Sequence, residues 1–516
     1  MIAQPIAQHQ RREGSIIPAP PGGVTALSAQ MFLAVLVGLA LRLLFVLRFP
    51  ASAGDSDLYL QLSRNLLDHH VYGLWWNGHL IPTDLRTPGY PLFLAAVTII
   101  LRRSLRAILL SQALLDLVTC FLTAALGAAL APAGARRRVW MAGLWLAATC
   151  PFVANYSAVV LSEVLVTFLT TAALVCFVLG LRHIPTEFSL EAGLRRVTPL
   201  SLVLLGAFLT GVATLVRPEM PLLMATAAAL YIVRWHRAVG LRKLALTAVA
   251  MVGAFLVPLL PWAARNFVTL HEVQFISPRY TTFAGEYEPT GFYAWTKTWL
   301  ERYRDLDASL WAVSEVPMHI GDFPPTAFDS PEEKAHVAAL IDQYNRNPDL
   351  DISPEVDRQF AEIAAERTRR HPFRTYVRVP LEHALTIWFT PRTDLLPIDG
   401  SLWPLREQWR DSRANVLTVG GFGALGYLYI ALAIAGIVFA WRAGRASRES
   451  NLQDAWNLWG VSLLVAYLFV RTAFLTTIEA PEPRYVVSCY PAILALIALL
   501  FSGRNRRESQ EQCDPR

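Results

Sequence analysis

The residues best suited to chemistry lie shortly after the first long apolar run of the sequence. Two carboxylates, Asp55 and Asp57, follow that run closely. A carboxylate at the boundary between hydrocarbon and water is partly desolvated, which raises its proton affinity and suits it to act as a base. Asp before a helix also accepts hydrogen bonds from free backbone amides, so Asp55 as a simple helix cap is the alternative. The residues alone leave both interpretations open.

The residues after Asp55 predict the element that positions it. Tyr59, Leu62 and Leu66 recur at helical spacing, and Arg64 and Asn65 fall on the other side of that helix. This pattern is typical of a short amphipathic helix lying on the membrane surface, here with Asp55 at its N-terminal end.

A basic residue follows in a rigid turn. Arg86 begins the run Arg-Thr-Pro-Gly-Tyr-Pro over 86–91, in which two prolines and a glycine fix the backbone. An arginine at headgroup depth pairs either with lipid phosphates in general or with one particular phosphate substrate. Arg86 is therefore a candidate phosphate ligand, with a plain headgroup anchor as the alternative.

Acidic and basic residues recur where other apolar runs meet the same predicted face of the membrane. One or two of them would be explained by helix capping or by side chains that reach toward the headgroups. Their recurrence in loops far apart in sequence predicts a shared polar site. Asp116 and Arg471 lie deeper in apolar runs, must face protein or water, and are left outside this site. The residues at the face are Glu163, Arg217, Glu219, Arg265, Glu482 and Arg484.

The composition requires a membrane environment for these elements. Of 516 residues, 54% are hydrophobic and 17% are charged, with a mean hydropathy of +0.37. A water-soluble domain needs more surface charge than this, so the chain is predicted to be an all-α polytopic membrane protein. The net charge of +6 comes largely from arginine clusters between apolar runs. It indicates cytoplasmic loops and a lipid-bilayer partner, with no nucleic-acid partner.

About ten runs have nearly the length that a bilayer requires. The second, fourth, sixth, eighth and tenth runs are followed by arginine clusters, and Arg11 and Arg12 precede the first. Because positive loops stay on the cytoplasmic side, both termini are predicted to be cytoplasmic. The predicted spans are 29–48, 106–130, 139–158, 162–181, 199–216, 218–233, 244–262, 415–441, 455–475 and 485–502.

Residues 89–101 are apolar but too short to cross comfortably, and a crossing there would place the later arginine clusters outside. We interpret them as an interfacial or re-entrant helix. Within the later hydrophilic segment, 354–370 predicts an amphipathic helix ended by His371-Pro372. The predicted organisation is a cytoplasmic tail 1–28, a transmembrane core 29–262 with an outer loop 49–105, an outer segment 263–414 that forms a small module, transmembrane helices 415–502 and a cytoplasmic tail 503–516.

Four short motifs together resemble the bacterial membrane glycosyltransferases of the GT-C fold, relatives of protein O-mannosyltransferases and of the lipid A aminoarabinose transferase. The resemblance covers residues 29–275 well, 415–502 more loosely, and 276–414 not at all. The motifs are Asp-Ser-x-x-Tyr at 55–59, Arg-Thr-Pro-Gly-Tyr-Pro at 86–91, Leu-Ser-Glu at 161–163 and Arg-Tyr at 484–485.

The resemblance implies a hexosyl- or pentosyltransferase in the bacterial inner membrane, with its active site on the periplasmic face. Its donor would be a polyprenyl-phosphate-linked sugar, and its acceptor a lipid, glycan or protein. Asp55 matches the catalytic acidic residue, although Asp57 beside it leaves the choice within the pair open. Glu163 matches an acidic position that orients acceptor or sugar. The implied donor-phosphate and substrate-binding residues are Arg86, Tyr59, Arg217, Arg265, Arg484 and Tyr485.

No cofactor is identified from the sequence. It contains no Gly-rich phosphate loop and no dinucleotide motif, which argues against direct use of a soluble nucleotide-sugar. A divalent metal is possible but not indicated, because the histidines and cysteines do not follow metal-ligand spacing. His69-His70 is interpreted as a surface pair.

Two other classes of function compete with the transferase. A transporter or flippase of a lipid-linked sugar also needs polar residues near lipid phosphate, but its two related halves are missing from this sequence. A polysaccharide polymerase or ligase uses similar donors and carries its arginines in large outer loops. The arginines at 367, 369, 370, 374 and 378 keep that alternative open.

Overall fold

The chain folds into a helical bundle with one small β-hairpin. The computed structural model describes residues 22–101, 103–182, 198–278, 287–398, 400, 402–449 and 456–503. Within these residues only one sheet occurs, and it has two strands. The predicted all-α membrane class is therefore confirmed. The tails predicted at 1–28 and 503–516 fall mostly outside the described residues, and the first helix already begins at Gly22.

The elements follow the chain in this order: α1 (Gly22–Arg48), α2 (Gly54–His69), β1 (Gly73–Trp76), β2 (His79–Pro82), α3 (Gly89–Leu101), α4 (Leu105–Leu130), α5 (Arg136–Ala148), α6 (Glu163–Arg182), α7 (Pro199–Thr214), α8 (Pro221–Trp235), α9 (Leu241–Leu256), α10 (Leu260–Leu270), α11 (Thr290–Thr296), α12 (Pro331–Arg346), α13 (Pro354–Arg370), α14 (Val379–Phe389), α15 (Leu405–Asp411), α16 (Arg413–Glu449), α17 (Leu458–Leu475) and α18 (Tyr490–Ala498).

Seven helical stretches among the described residues are long and apolar enough to cross a membrane, where the sequence predicts about ten. Three shorter apolar helices, α3, α7 and α8, accompany them. The predicted span 244–262 continues through α9 and α10 as far as Leu270, so the hydrophilic segment begins later than residue 263. The seven stretches are Leu27–Arg48, Leu105–Leu130, Glu163–Arg182, Leu241–Leu270, Arg413–Ala446, Leu458–Leu475 and Pro483–Ser502.

The span predicted at 139–158 is not one continuous helix. The α5 helix ends at Ala148, and the chain continues through a turn at Pro151–Ala154 and a 3₁₀ turn at Asn155–Ala158. Proline interrupts the helix because it lacks an N–H group. The residues of both turns are nearly all buried, as non-helical backbone at membrane depth must be.

A buried ion pair satisfies the broken end of α5. The Arg42 Nε donates to Asp116 Oδ2 at 2.8 Å, and its Nη1 donates to the carbonyl of Ala148 at 2.7 Å. A helix end leaves carbonyl groups without partners, and here the guanidinium supplies the missing donor. Asp116 is thus a packing partner of Arg42, and it lies outside the functional site as predicted from the sequence.

The first outer loop contains α2, the hairpin and α3. The predicted helix at the start of this loop is α2, but Asn65 is buried and donates to the Gly73 carbonyl at 2.8 Å, so the expectation that it is turned away is wrong. The hairpin turn at Asn77-Gly78 has positive φ at both residues, as a two-residue hairpin turn requires. The α3 helix spans Gly89–Leu101, the short apolar run of the sequence.

A second hydrophobic core forms in the long hydrophilic segment. Phe292, Trp295, Trp299 and Phe360 pack in it with α12 and α13. The predicted amphipathic helix is confirmed with its bounds, Pro354–Arg370. Lys297 Nζ lies 2.7 Å from Glu479 Oε1 and joins this core to the loop before the last span.

Candidate active site

Asp55 is held by two arginines from distant parts of the chain. Its Oδ1 accepts from Arg86 Nη2 at 2.9 Å, and its Oδ2 lies 3.0 Å from Arg484 Nη1. The N-cap of α2 is Ala53, whose N–H donates to Ser56 Oγ. The interpretation of Asp55 as a helix cap is therefore wrong, because both carboxylate oxygens face guanidinium groups.

The two arginines set the charge state of Asp55. Burial by itself raises the pKa of this carboxyl, but Arg484 and then Arg86 outweigh burial and lower the pKa to about 2. The Asp55 side chain is 21% exposed, so ligands from solvent reach it. It is a charged, accessible carboxylate whose basicity depends on what the two arginines contact.

The turn that carries Arg86 is fixed by backbone contacts. The Tyr72 hydroxyl donates to the Arg86 carbonyl at 2.8 Å, and the Gly89 N–H donates to the Leu215 carbonyl at 2.6 Å. A Cβ at Gly89 would lie 2.6 Å from that same oxygen, so only glycine allows this approach. The contact joins the first outer loop to the turn between α7 and α8.

That second turn carries Arg217, which lies between two carboxylates. Its Nη2 donates to Glu163 Oε1 at 2.5 Å, and its Nη1 donates to Glu219 Oε1 at 3.5 Å. Arg471 donates to the same Glu219 oxygen at 3.2 Å and to the Tyr485 carbonyl at 2.9 Å. The Glu163 side chain is buried, and its Oε2 has no hydrogen-bond partner among the described residues.

Arg484 closes the arrangement beside the last span. Its Nε lies 2.5 Å from Glu482 Oε2, and the Tyr485 hydroxyl donates to Glu482 Oε1 at 2.6 Å. The guanidinium carbons of Arg217 and Arg484 lie 5.2 and 5.6 Å from the centroid of the Tyr485 ring. Two arginines far apart in sequence thus share one aromatic neighbour, with a carboxylate beside each.

Tyr59 lies close to the charged groups of this arrangement. Its ring packs edge-on against Tyr90, with centroids 4.9 Å apart, and the Tyr90 hydroxyl donates to Gln112 Oε1 at 2.6 Å. Burial raises the pKa of Tyr59, and the nearby charge of Asp55 adds to the rise. Tyr59 therefore stays a neutral phenol beside the charged groups.

The structure separates two of the nine candidate residues from the others. Asp57 is exposed and forms no hydrogen bond or ion pair with any described residue. Arg265 donates to the carbonyls of Thr83 and Tyr72, at 3.0 and 2.6 Å, and holds the hairpin. Arg265 was predicted to lie among the site residues. Its guanidinium instead donates to backbone carbonyls of residues 72 and 83 and contacts none of the other candidates.

The charges of the remaining site balance one another. We call it the boundary cluster, and its four carboxylates match four guanidiniums. Sequence reasoning left Arg471 out because its depth in an apolar run fitted a packing role equally well. The sequence feature that could have indicated a partner for Arg471 was the acidic residue Glu219 at the end of another apolar run. The boundary cluster consists of Asp55, Glu163, Glu219, Glu482, Arg86, Arg217, Arg471 and Arg484.

Metal ligands do not gather around this cluster. Within the part of the chain that the structure describes, no group of three or more His, Cys, Asp or Glu residues is placed to hold a metal ion. The polar atoms available to a ligand are guanidinium donors and carboxylate acceptors at the end of an apolar bundle. Guanidinium groups of this kind form charge-assisted hydrogen bonds with anionic groups.

Comparison with solved structures finds two kinds of membrane enzyme. The oligosaccharyltransferase AglB from Archaeoglobus fulgidus, in complex with an inhibitory peptide and a dolichol-phosphate, has a TM-score of 0.46 and 14% identity over 92% of this chain. ArnT from Cupriavidus metallidurans, bound to undecaprenyl phosphate, has a TM-score of 0.35 and 16% identity over 94% of this chain.

The chain is shorter than these structures. It spans 50% of that oligosaccharyltransferase chain and 77% of that ArnT chain. No family model matches the sequence. No curated protein matches it either.

Proposed function

We propose that this protein transfers a sugar from a polyprenyl-phosphate-linked donor to an acceptor hydroxyl on the outer face of the membrane, with Asp55 as the catalytic base. The observation that carries this proposal is the contact of Asp55 with both Arg86 and Arg484, which we call the clamp. A carboxylate at the end of the first span lies between two arginines, and these are the residues that recognise a phosphate at headgroup depth.

The chemistry follows from this geometry. Asp55 accepts the proton of the acceptor hydroxyl as the oxygen forms a bond with the anomeric carbon. The bond between that carbon and the phosphate oxygen breaks, and polyprenyl phosphate leaves with the electron pair. Arg86 and Arg484 stabilise the negative charge on the departing phosphate. Glu163 helps to orient the sugar or acceptor, while Arg217 holds Glu163 in place.

The clamp also links donor binding to the strength of the base. With a pKa of about 2, Asp55 is a weak base in the empty site. A donor phosphate offers the same two arginines a competing anion, so it draws them away from Asp55. Asp55 then loses its positive neighbours and its proton affinity rises. Asp55 would thus become an effective base only when a donor is bound.

Two rival functions receive less support. Four of the five arginines that favoured a polymerase or ligase have carboxylate partners: Arg367 and Arg374 contact Asp329, Arg370 contacts Glu366, and Arg378 contacts Glu301. These pairs stabilise the second core and its junction with α14. A flippase, in turn, does not require a carboxylate clamped by two arginines.

A reconstituted assay separates transfer from transport. The purified protein in vesicles receives a polyprenyl-phosphate donor with a radiolabelled sugar, together with cell-envelope material as acceptor. We expect the label to move to the acceptor fraction and free polyprenyl phosphate to appear. Label that reaches the opposite leaflet while still bound to its lipid would instead show a transporter and contradict the proposal.

The pH dependence tests the link between donor and base. Because the pKa of Asp55 is depressed in the empty site, this carboxyl stays charged until the pH falls toward about 2. The acid limb of kcat/KM, which reports the free enzyme, should therefore lie at lower pH than the acid limb of kcat, which reports the donor complex. Arg86→Gln should move the kcat/KM limb upward, since it removes one of the two cations. Coincident limbs would show that the arginines stay on Asp55.

A further inference from the structure

A second polar feature lies on the side of α2 that faces away from the hairpin. A cavity of about 120 Å³ opens between α2 and the turn that joins α3 to α4. Leu60 and Leu67 of α2 and Ile108 of α4 form its apolar wall. Arg64 and Arg103 form its polar rim. We call this cavity the α2 groove.

The rim of the α2 groove has an excess of positive charge. Arg64 and Arg103 are both exposed there, Arg106 is exposed in the first turn of α4, and Asp68 lies beside Arg103. Arg103 donates to both carboxylate oxygens of Asp68, with Nη1 at 3.0 Å from Oδ2. Asp68 pairs with Arg103, and Arg64 adds a further positive charge, so the rim keeps a net positive charge in water. The boundary cluster, by contrast, balances its charges internally.

An exposed apolar surface continues from this rim. The side chains of Ile99 and Ile100 at the end of α3 are 71% and 74% exposed, and Leu101 and Leu105 beside them are also exposed. In a membrane protein such residues contact lipid chains. Basic residues at headgroup depth next to an acyl-facing surface attract anionic lipids, at about 1 kcal/mol per arginine.

The rim lies at the same end of the bundle as Asp55. The cavity is lined both by α2, which begins at Gly54 next to Asp55, and by the start of α4, so the rim and Asp55 belong to the same end. The sequence predicts that this end faces outward, where arginine clusters are uncommon. A cluster there calls for an anionic partner.

We propose that the α2 groove binds one anionic phospholipid, with the phosphate between Arg64 and Arg103 and the acyl chains along Ile99, Ile100 and Leu105. Charge complementarity and the adjoining lipid-facing surface select this occupant. The lipid would support α2 from the side opposite the hairpin, and α2 carries Asp55 and Tyr59. The binding claim does not depend on the proposed sugar transfer, because it is measured without any substrate.

Native mass spectrometry of the full chain in detergent tests this proposal, with phosphatidylglycerol and phosphatidylcholine as the probes. We expect one phosphatidylglycerol to bind more tightly than phosphatidylcholine. The double variant Arg64→Gln with Arg103→Gln should bind phosphatidylglycerol about thirtyfold more weakly, at roughly fivefold per arginine. Asp68→Asn should strengthen binding, since it removes the competing carboxylate.

The matched control is Arg136→Gln with Arg242→Gln, which removes two exposed arginines from the opposite end of the bundle. This control should bind phosphatidylglycerol as the native chain does. If Arg64→Gln with Arg103→Gln unfolds the protein, Arg64→Lys with Arg103→Lys keeps the charge and should retain selectivity for phosphatidylglycerol. Equal binding of the two phospholipids, or unchanged binding in Asp68→Asn and in the glutamine variant, would overturn the proposal. Displacement of the phospholipid by undecaprenyl phosphate would assign the groove to a polyprenyl lipid and also overturn it.

Discussion

Asp55→Asn is expected to lower the rate of sugar transfer by about two to four orders of magnitude, the usual cost of losing a general base. Asparagine keeps the size of the side chain and can still accept one hydrogen bond from Arg86 or Arg484. It cannot take up a proton. The rate of transfer from a labelled polyprenyl-phosphate donor, measured at saturating donor, checks this result.

The matched control is Asp57→Asn, which removes the same charge from the first turn of the same helix. Asp57 is exposed and contacts no described residue, so this variant should keep nearly native activity. Thermal unfolding should change little in either variant, because Asp55 does not cap α2 and its ion pairs are partly exposed. Loss of activity in Asp57→Asn with native activity in Asp55→Asn would reverse the assignment of the base.

Arg484→Lys and Arg86→Lys are each expected to weaken donor binding by about tenfold or more, as loss of a charge-assisted hydrogen bond predicts. Lysine keeps the positive charge but loses the planar pair of donors that matches phosphate oxygens. Arg217→Lys should show a smaller effect on donor binding. The Arg217 side chain is only 13% exposed and lies between Glu163 and Glu219, whereas Arg86 is 38% exposed.

Donor affinity is measured directly, by titrating a non-transferable polyprenyl phosphate into the purified protein. Arg304→Lys serves as the control and should bind normally, because Arg304 is 73% exposed and lies in the 3₁₀ turn Tyr303–Asp305. The fold of each variant is checked by its thermal unfolding. Normal donor binding in all three variants of the cluster would exclude a shared phosphate site.

The Arg217–Glu163 pair has a different expected role from the Arg484–Asp55 pair. Glu163 is buried and Arg217 nearly so, so breaking this pair leaves a charge without a partner. Asp55, Arg86 and Arg484 are more exposed and can exchange partners with a ligand. We therefore expect the more exposed charges to interact with a ligand, while the buried pair joins the start of α6 to the turn between α7 and α8.

The sequence determined the features that depend on local length and periodicity. A bilayer requires long apolar runs, so the strongest spans were visible directly, and α13 was predicted with its bounds because amphipathic spacing, Pro354 and the Pro372 that follows mark both ends. The α3 helix also matches its apolar run. Asp55 and Arg86 were also selected from local sequence, Asp55 because it closely follows the first apolar run and Arg86 because it begins a rigid turn.

Only the tertiary structure decided the features that depend on contacts between distant residues. The apolar run at 139–158 reads as one span, yet α5 ends at Ala148, ahead of Pro151. Distant residues satisfy the backbone groups left there: Arg42 donates to the Ala148 carbonyl, and Ala51 donates its N–H to the Ala158 carbonyl at 3.0 Å. Asn65 donates to the Gly73 carbonyl and Arg471 to Glu219, and no local sequence pattern predicts either contact. Asp55 and Asp57 are equivalent in sequence. Packing of the first outer loop against the 482–485 turn makes Asp55 the one that meets Arg484, because a hydrogen bond depends on where two distant segments come together in space.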